Sequence, residues 1–115
     1  MVPHRGDIWL TDTPGRPDDP HQPRPGIVIS EDVRNEQRDH AIVVPIYSEG
    51  KVGLTHIGIR AGTGGLEHDS VIFCEEITTV DYQFFHDGPL GLPIPESILQ
   101  RIVLAVRAAL DDETL

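Results

Sequence analysis

The sequence contains little of what several classes of small protein need. Its single cysteine, Cys74, excludes an internal disulfide and any multi-cysteine metal site. One unpaired cysteine is typical of the reducing cytoplasm, so we expect the protein there. The apolar runs, such as Ala41–Ile46, are far too short to span a bilayer. The first seven residues turn polar at once, which predicts neither a signal peptide nor a membrane partner.

Basic residues are also scarce. Nine lysines and arginines face nineteen acids, which gives a formal net charge of −10. A uniformly acidic surface would repel nucleic acid, because cationic contacts to phosphate supply most non-specific affinity. The imbalance is uneven, since residues 1–60 hold seven of the nine bases and residues 61–115 hold ten of the nineteen acids. An anionic ligand is therefore expected in the N-terminal half.

Motifs for metals and phosphate-bearing cofactors are missing. The six histidines form no pair at helical spacing and have no cysteine partner, so the sequence predicts no metal site. The glycine cluster Gly62–Gly65 lacks the Lys-Ser/Thr that a phosphate-binding loop requires. We therefore expect no cofactor. Cys74 lies in an apolar segment and is interpreted as buried packing rather than a nucleophile.

Short β-branched segments dominate the chain. They predict strands at Arg5–Leu10, Gly26–Ser30, Ala41–Ile46, Val52–Arg60, Ser70–Cys74 and Ile77–Val80, the last two being either separate strands or one strand bent at Glu75-Glu76. The segment Phe84–Leu92 is ambiguous. Residues 11–25 hold five prolines, which excludes a central strand and predicts a long, functional loop.

The C-terminal segment predicts the one long helix. Pro95 and Glu96 suit its first turn. An apolar stripe at helical spacing follows, made of Ile98, Leu99, Ile102, Val103, Val106 and Leu110. Five to seven short strands with one terminal helix predict a mainly β fold, either a small barrel or a strongly bent sheet. All 115 residues are expected to form a single domain.

The order of several motifs resembles one known family. They are Arg5–Leu10, Gln22–Pro25, Ile27–Asp32, Ile42–Ser48, Asp69–Ile72 and Glu76–Asp81, which together resemble the MazF/PemK toxins over nearly the whole chain. The resemblance implies an SH3-like barrel, a homodimer, and a metal-independent endoribonuclease that cuts single-stranded RNA. It further implies 2′,3′-cyclic phosphate and 5′-hydroxyl products. A cognate antitoxin that blocks the RNA site is also implied.

The chain departs from the family pattern at three positions. His21-Gln22 stands where the family usually has Glu-Gln, in a loop two residues shorter. Tyr47, followed by Ser48, occupies the position of the usual catalytic threonine. Glu76 replaces a frequent glutamine. All three changes fall at the implied site and concern activity or sequence preference more than the fold.

Metal-free RNA cleavage needs a base for the 2′-hydroxyl, a cation for the phosphorane and an acid for the leaving oxygen. Arg24 is the candidate cation, because its guanidinium can contact two phosphate oxygens at once. His21 is the candidate base. Tyr47 or Ser48 can donate to a phosphate oxygen, and Tyr47 can equally stack on a base.

By the same resemblance, Gln22, Glu76 and Thr79 are candidate RNA-binding residues. Trp9 and Phe73 are interpreted as core residues. A rival interpretation belongs to a different class: an SH3-like barrel that binds a protein and is weakly active or inactive. The net charge and the missing threonine favour that rival.

Overall fold

The computed structural model describes residues 1–12, 18, 20 and 22–111, which form a bent antiparallel sheet with two helices. The strands are β1 (Ile8–Thr11), β2 (Arg24–Val28), β3 (His40–Tyr47), β4 (His56–Ile59), β5 (Ser70–Phe73), β6 (Thr78–Asp81) and β7 (Phe85–Pro89), and the helices are α1 (Asp32–Gln37) and α2 (Glu96–Ala109). The strand order is β4-β5-β3-β2-β1-β7, with β6 also pairing with β3. The predicted mainly β fold with a C-terminal helix is confirmed.

Strand β3 is the organising element, because two later strands share one of its edges. Its end pairs with β5, Ile46 opposite Ile72, and its beginning pairs with β6, Val43 opposite Thr78. A 3-10 turn at Cys74–Glu76 separates the two pairings. The sequence left open whether these two segments are separate strands or one bent strand, and the structure has two strands joined by a turn that carries Glu75 and Glu76.

Apolar side chains are buried on both faces of β1, β2 and β3. Neighbouring residues of a strand point to opposite faces, so Ile8 and Ile27 join the main core while Trp9 and Val28 join a second, outer cluster. The outer cluster also contains Ala41, Val43 and Val80. Burial on both faces explains why Ala41–Ile46 is continuously apolar instead of alternating.

Helix α2 closes one side of the main core. Its buried positions are Leu99, Ile102 and Ala105. The predicted stripe extends one turn too far, since the helix ends at Ala109 and Leu110 is 73% exposed. Within the described residues, no helix combines the length and apolar character needed to cross a membrane.

Several predicted strand boundaries need correction. Strand β1 begins at Ile8 rather than Arg5, and β2 begins at Arg24, so the last two residues of the predicted proline-rich loop belong to a central strand. The strand expected over Val52–Arg60 begins only at His56, because the Gly53 amide donates to the His56 carbonyl and turns the chain. The ambiguous Phe84–Leu92 segment contains β7, which pairs with β1. That pairing places Phe85 against the Trp9 ring, with centroids 5.5 Å apart.

Candidate active site

An open cavity of about 380 Å³ lies where β1 and β3 end and β2 begins. Its walls combine an apolar floor with a few polar groups, as small-molecule and nucleotide sites commonly do. The lining residues are Leu10, Arg24, Pro25, Ile46, Tyr47, Ser48, Gly65, Leu66, Glu67, His68, Ser70 and Leu90. Three of the candidate residues from the sequence, Arg24, Tyr47 and Ser48, therefore meet at one cavity.

Another part of the cavity lining is built by a close backbone approach. Gly65 has φ +90°, and a Cβ atom there would lie 2.3 Å from the Leu90 carbonyl oxygen. Glycine is thus required for its left-handed conformation and for the space. This contact packs the turn at Thr63–Gly65 against the residue that follows β7, and Gly65 and Leu90 both line the cavity.

Strand register places Arg24 beside Tyr47. Gly26 pairs with Pro45, and extending that antiparallel register by two residues sets Arg24 opposite Tyr47. The Arg24 Cζ atom lies 4.1 Å from the centroid of the Tyr47 ring. This separation is a cation–π contact, which holds the guanidinium over the ring at the cavity edge.

Tyr47 is itself held from two further directions. Its hydroxyl donates a hydrogen bond of 2.6 Å to Oε1 of Glu76, in the Cys74–Glu76 turn. Its ring lies 4.4 Å from the Phe73 ring at an interplanar angle of 49°. In this structure the ring supports Arg24 and the hydroxyl is engaged by a carboxylate. The geometry favours a positioning role for Tyr47.

The contacts continue across the sheet as a stacked row. We use this name for Arg24, Tyr47, Phe73 and His56, which come from β2, β3, β5 and β4, four neighbouring strands. The His56 and Phe73 rings are parallel within 12°, with centroids 3.9 Å apart. The core prediction is confirmed for Trp9, which is 4% exposed, but it is wrong for half-buried Phe73. The sequence analysis did not anticipate the contacts of Phe73 and His56 with this row.

Hydrogen bonds shift the pKa values of His56, at the end of the row farthest from Arg24, and of its partner Glu75. The Glu75 carboxylate raises the pKa of His56 by accepting its hydrogen bond, which outweighs the opposing effect of burial. Burial alone would raise the pKa of Glu75, but hydrogen bonds from Thr55 and His56 lower it below its usual range. Both shifts favour the ionised pair, with Nε2 and Oε1 2.6 Å apart.

The structure does not bring every predicted residue to the cavity. Gln22 is half-buried and lies two residues before β2. Thr79 is exposed on β6 opposite Ile42, five residues from Tyr47 along β3, so it lies away from the other candidates. His21, the candidate base, lies outside the described residues.

Two features outside the cavity bear on chemistry. Cys74 is fully buried, and burial raises the pKa of its thiol to about 12, so the interpretation as packing is confirmed. Among the described residues, Asp39, His40 and Asp81 bring ligand atoms within 4.8 Å of one another. That group lies at the opposite end of β3 from Tyr47, roughly 20 Å away for an extended strand of that length.

Comparison with known proteins decides the family. The model of the PemK-like, MazF-like toxins of type II toxin-antitoxin systems matches residues 4–110. The endoribonuclease EndoA of Bacillus subtilis (strain 168) is 38% identical over 90 residues, which cover 76% of this chain and 78% of that protein. The chain belongs to the PemK/MazF-like toxin family. The resemblance read from the sequence is confirmed, and this chain is a toxin of a type II toxin-antitoxin system.

Solved structures agree on the fold of the toxin. An endoribonuclease from a mycobacterial species superposes with a TM-score of 0.79 at 16% identity, over all of this chain and 97% of the other. A mycobacterial endoribonuclease in complex with its cognate antitoxin gives 0.77 at 17% identity, over 96% of each chain. At such identities the toxin shares their fold, while its site residues must be judged from its own geometry.

Proposed function

We propose that this toxin is a metal-independent endoribonuclease that cuts single-stranded RNA at the cavity bounded by Arg24, Tyr47 and Ser48. The observation that carries the proposal is the Arg24 guanidinium, held 4.1 Å from the Tyr47 ring centroid at the edge of an open cavity. A fixed guanidinium in the less acidic half of the chain is the group a phosphodiester needs. The 38% identical relative is named an endoribonuclease, which supports the proposal.

The reaction requires no cofactor. The RNA 2′-oxygen loses its proton to the base and attacks the adjacent phosphorus, and the bond from phosphorus to the 5′-oxygen breaks as that oxygen takes a proton from solvent. The products are a 2′,3′-cyclic phosphate and a 5′-hydroxyl. Arg24 would stabilise the negative charge that builds on the phosphorane oxygens, where a preorganised donor contributes most. His21 is the proposed base, and the Ser48 hydroxyl at the cavity rim is the proposed donor to a phosphate oxygen.

A cleavage assay with Arg24 variants tests the proposal. In EDTA, the wild-type toxin should cut a long unstructured RNA, and Arg24→Ala should lower the rate by roughly 10²–10³, the usual effect of losing one such donor. Arg24→Lys should not restore the full rate, because a point charge cannot replace the planar fork. The end groups are read by mass spectrometry.

Arg101→Ala is the matched control, since Arg101 is exposed on α2 and away from the cavity. It should cleave like wild type. Unchanged cleavage by Arg24→Ala would remove Arg24 from the mechanism. No cleavage by the wild type, combined with tight binding of a protein partner, would instead favour the rival interpretation, a barrel that only binds protein.

The remaining parts of the proposal concern assembly. The toxin would act in the cytoplasm as a homodimer of single domains spanning residues 1–115, and a cognate antitoxin would cover the RNA site. Because residues 61–115 are strongly acidic, an acidic antitoxin segment would be repelled there. The partner is expected to bind through apolar anchors, with its charges directed at residues 5–60.

A further inference from the structure

His56 and Arg24 lie at the two ends of the stacked row. Both ring nitrogens of His56 contact hydrogen-bond acceptors. Its Nδ1 atom is 3.1 Å from the Lys51 carbonyl oxygen, and its Nε2 atom is 2.6 Å from Oε1 of Glu75. A carbonyl accepts only, and so does an ionised carboxylate. A neutral imidazole has one N–H and can serve only one of them. The imidazolium serves both, so this geometry selects the protonated ring.

The ring stacking selects the same form. The His56 ring lies 3.9 Å from the Phe73 centroid and nearly parallel to it. A cation over an aromatic face gains attraction that a neutral ring does not. The charged groups facing His56 are the carboxylates of Glu75 and Glu76, both in the turn at Cys74–Glu76, and both raise its pKa.

Phe73 is also covered by the loop that His56 holds. A Cβ atom at Gly50 would lie 2.7 Å from the Phe73 ring, so the backbone of the β3–β4 loop, residues 48–55, rests directly on that ring. The same loop supplies the Lys51 carbonyl. When the imidazolium loses a proton, His56 can no longer donate to both the Lys51 carbonyl and the Glu75 carboxylate. One of the two hydrogen bonds is lost, and the loop that rests on Phe73 is held less firmly.

The row transmits the change to the site. Phe73 supports Tyr47 at 4.4 Å, and Tyr47 supports the Arg24 guanidinium at 4.1 Å. We propose that protonated His56 is a positioning residue, which fixes the stacked row that aims Arg24 at the scissile phosphate. RNA cleavage then declines when His56 deprotonates. This inference rests on the proposed function, and it assigns a role to a residue far from the reacting atoms.

The direction of the pH dependence of cleavage distinguishes His56 from the proposed base. A base at His21 works when neutral, so its titration produces a limb at acid pH. His56 works when charged, and its raised pKa places the loss of activity on the alkaline side of the usual histidine range, above about pH 6.5. The pH profile in EDTA is therefore expected to be bell-shaped, with separable limbs.

Two variants test the alkaline limb. His56→Gln is neutral at every pH, and its cleavage rate below pH 7 should fall roughly 2- to 10-fold, without the alkaline limb. His56→Arg is planar and charged at every pH, so it should keep near wild-type cleavage and also lack that limb. His4→Gln is the matched control, because His4 also faces a carboxylate, Asp32 at 3.6 Å, outside the row. It should retain the wild-type profile.

NMR makes the result independent of cleavage. The Nε–H resonance of Arg24 should shift as His56 titrates in the wild type and should stay fixed in His56→Arg. Any of three results would overturn the inference. The pKa of His56 could lie at or below about 6.5, the Arg24 resonance could stay fixed while His56 titrates, or His56→Arg could lose activity at alkaline pH as the wild type does. If the Arg24 resonance follows His56 but no RNA is cut at any pH, the proposed function fails while the coupling along the row stands.

Discussion

At the scale of single residues, Tyr47 has two separable parts, a hydroxyl bound to Glu76 and a ring beneath Arg24. Tyr47→Phe removes only the first and should cleave within roughly 3-fold of wild type, whereas Tyr47→Leu removes the ring and should lose roughly 3- to 30-fold. Single-turnover cleavage rates, corrected for the folded fraction, make the comparison.

Tyr82→Phe controls for the loss of a phenol hydroxyl elsewhere. The Tyr82 hydroxyl donates to the Asn35 carbonyl, outside the cavity lining, and its removal should leave cleavage unchanged. A loss of 100-fold or more in Tyr47→Phe would show that the hydroxyl acts on the phosphate, as the family's threonine is expected to do. The ring-support account would then be wrong.

The sequence predicted Arg24, Tyr47 and Ser48 as candidates because local motifs carry them, and the structure brings all three to one cavity. It did not identify His56 and Phe73, because their place in the stacked row depends on pairings between segments far apart in the chain. Phe73 stands in an apolar strand, where burial is the usual outcome. Its contact with Tyr47 follows only from β5 pairing with the end of β3.

At the scale of elements, the turn at Thr63–Gly65 sets one wall of the cavity through its contact with Leu90. Gly65→Ala would bring a Cβ atom 2.3 Å from the Leu90 carbonyl oxygen, so the free energy of unfolding should fall by about 3 kcal/mol or more. Urea unfolding measures the change. We expect the cavity wall to move with the turn.

Gly62→Ala separates backbone strain from the clash. Gly62 has the same φ of +90° as Gly65, but open space surrounds the position of its Cβ. The substitution should lower the free energy of unfolding by only about 1–2 kcal/mol. Equal losses for the two variants would mean that the left-handed conformation, and not the contact with Leu90, makes Gly65 necessary.

Elements with strong local signals were predictable, and those defined by partners were not. Helix α2 follows from its stripe and from Pro95, and β3 follows from a β-branched run. The start of β4 at His56 depends on a turn bond from Gly53, which periodicity does not reveal. The split between β5 and β6 depends on both strands sharing one edge of β3.

At the scale of the whole molecule, the charge of −10 limits how RNA can bind. Among the described residues lining the cavity, Arg24 is the one arginine or lysine, so few phosphates are neutralised. The logarithm of RNA affinity against the logarithm of salt concentration should have a shallow slope, roughly −0.7 for one phosphate contact on a single strand and about −2 for three. Fluorescence anisotropy with an all-2′-deoxy oligonucleotide, which lacks the attacking hydroxyl, measures it without cleavage.

Arg24→Ala should reduce that slope by roughly 0.7, the contribution of one phosphate contact on a single strand. Arg101→Ala should leave it unchanged. A wild-type slope steeper than about −4 would mean that many more cations contact the RNA than this cavity supplies. The RNA would then bind to a different surface of the toxin.

The position of Trp9 allows the unfolding of the two faces of the sheet to be followed separately. Trp9 is the only tryptophan, and it belongs to the outer cluster, whereas α2, which holds most helical residues, packs on the main core. Indole emission therefore monitors one face of the sheet, and circular dichroism at the helical band monitors the other. Coincident melting curves would mean that the domain unfolds as one cooperative unit. Loss of the helical signal at a lower temperature than the change in indole emission would mean that α2 detaches while the outer cluster persists.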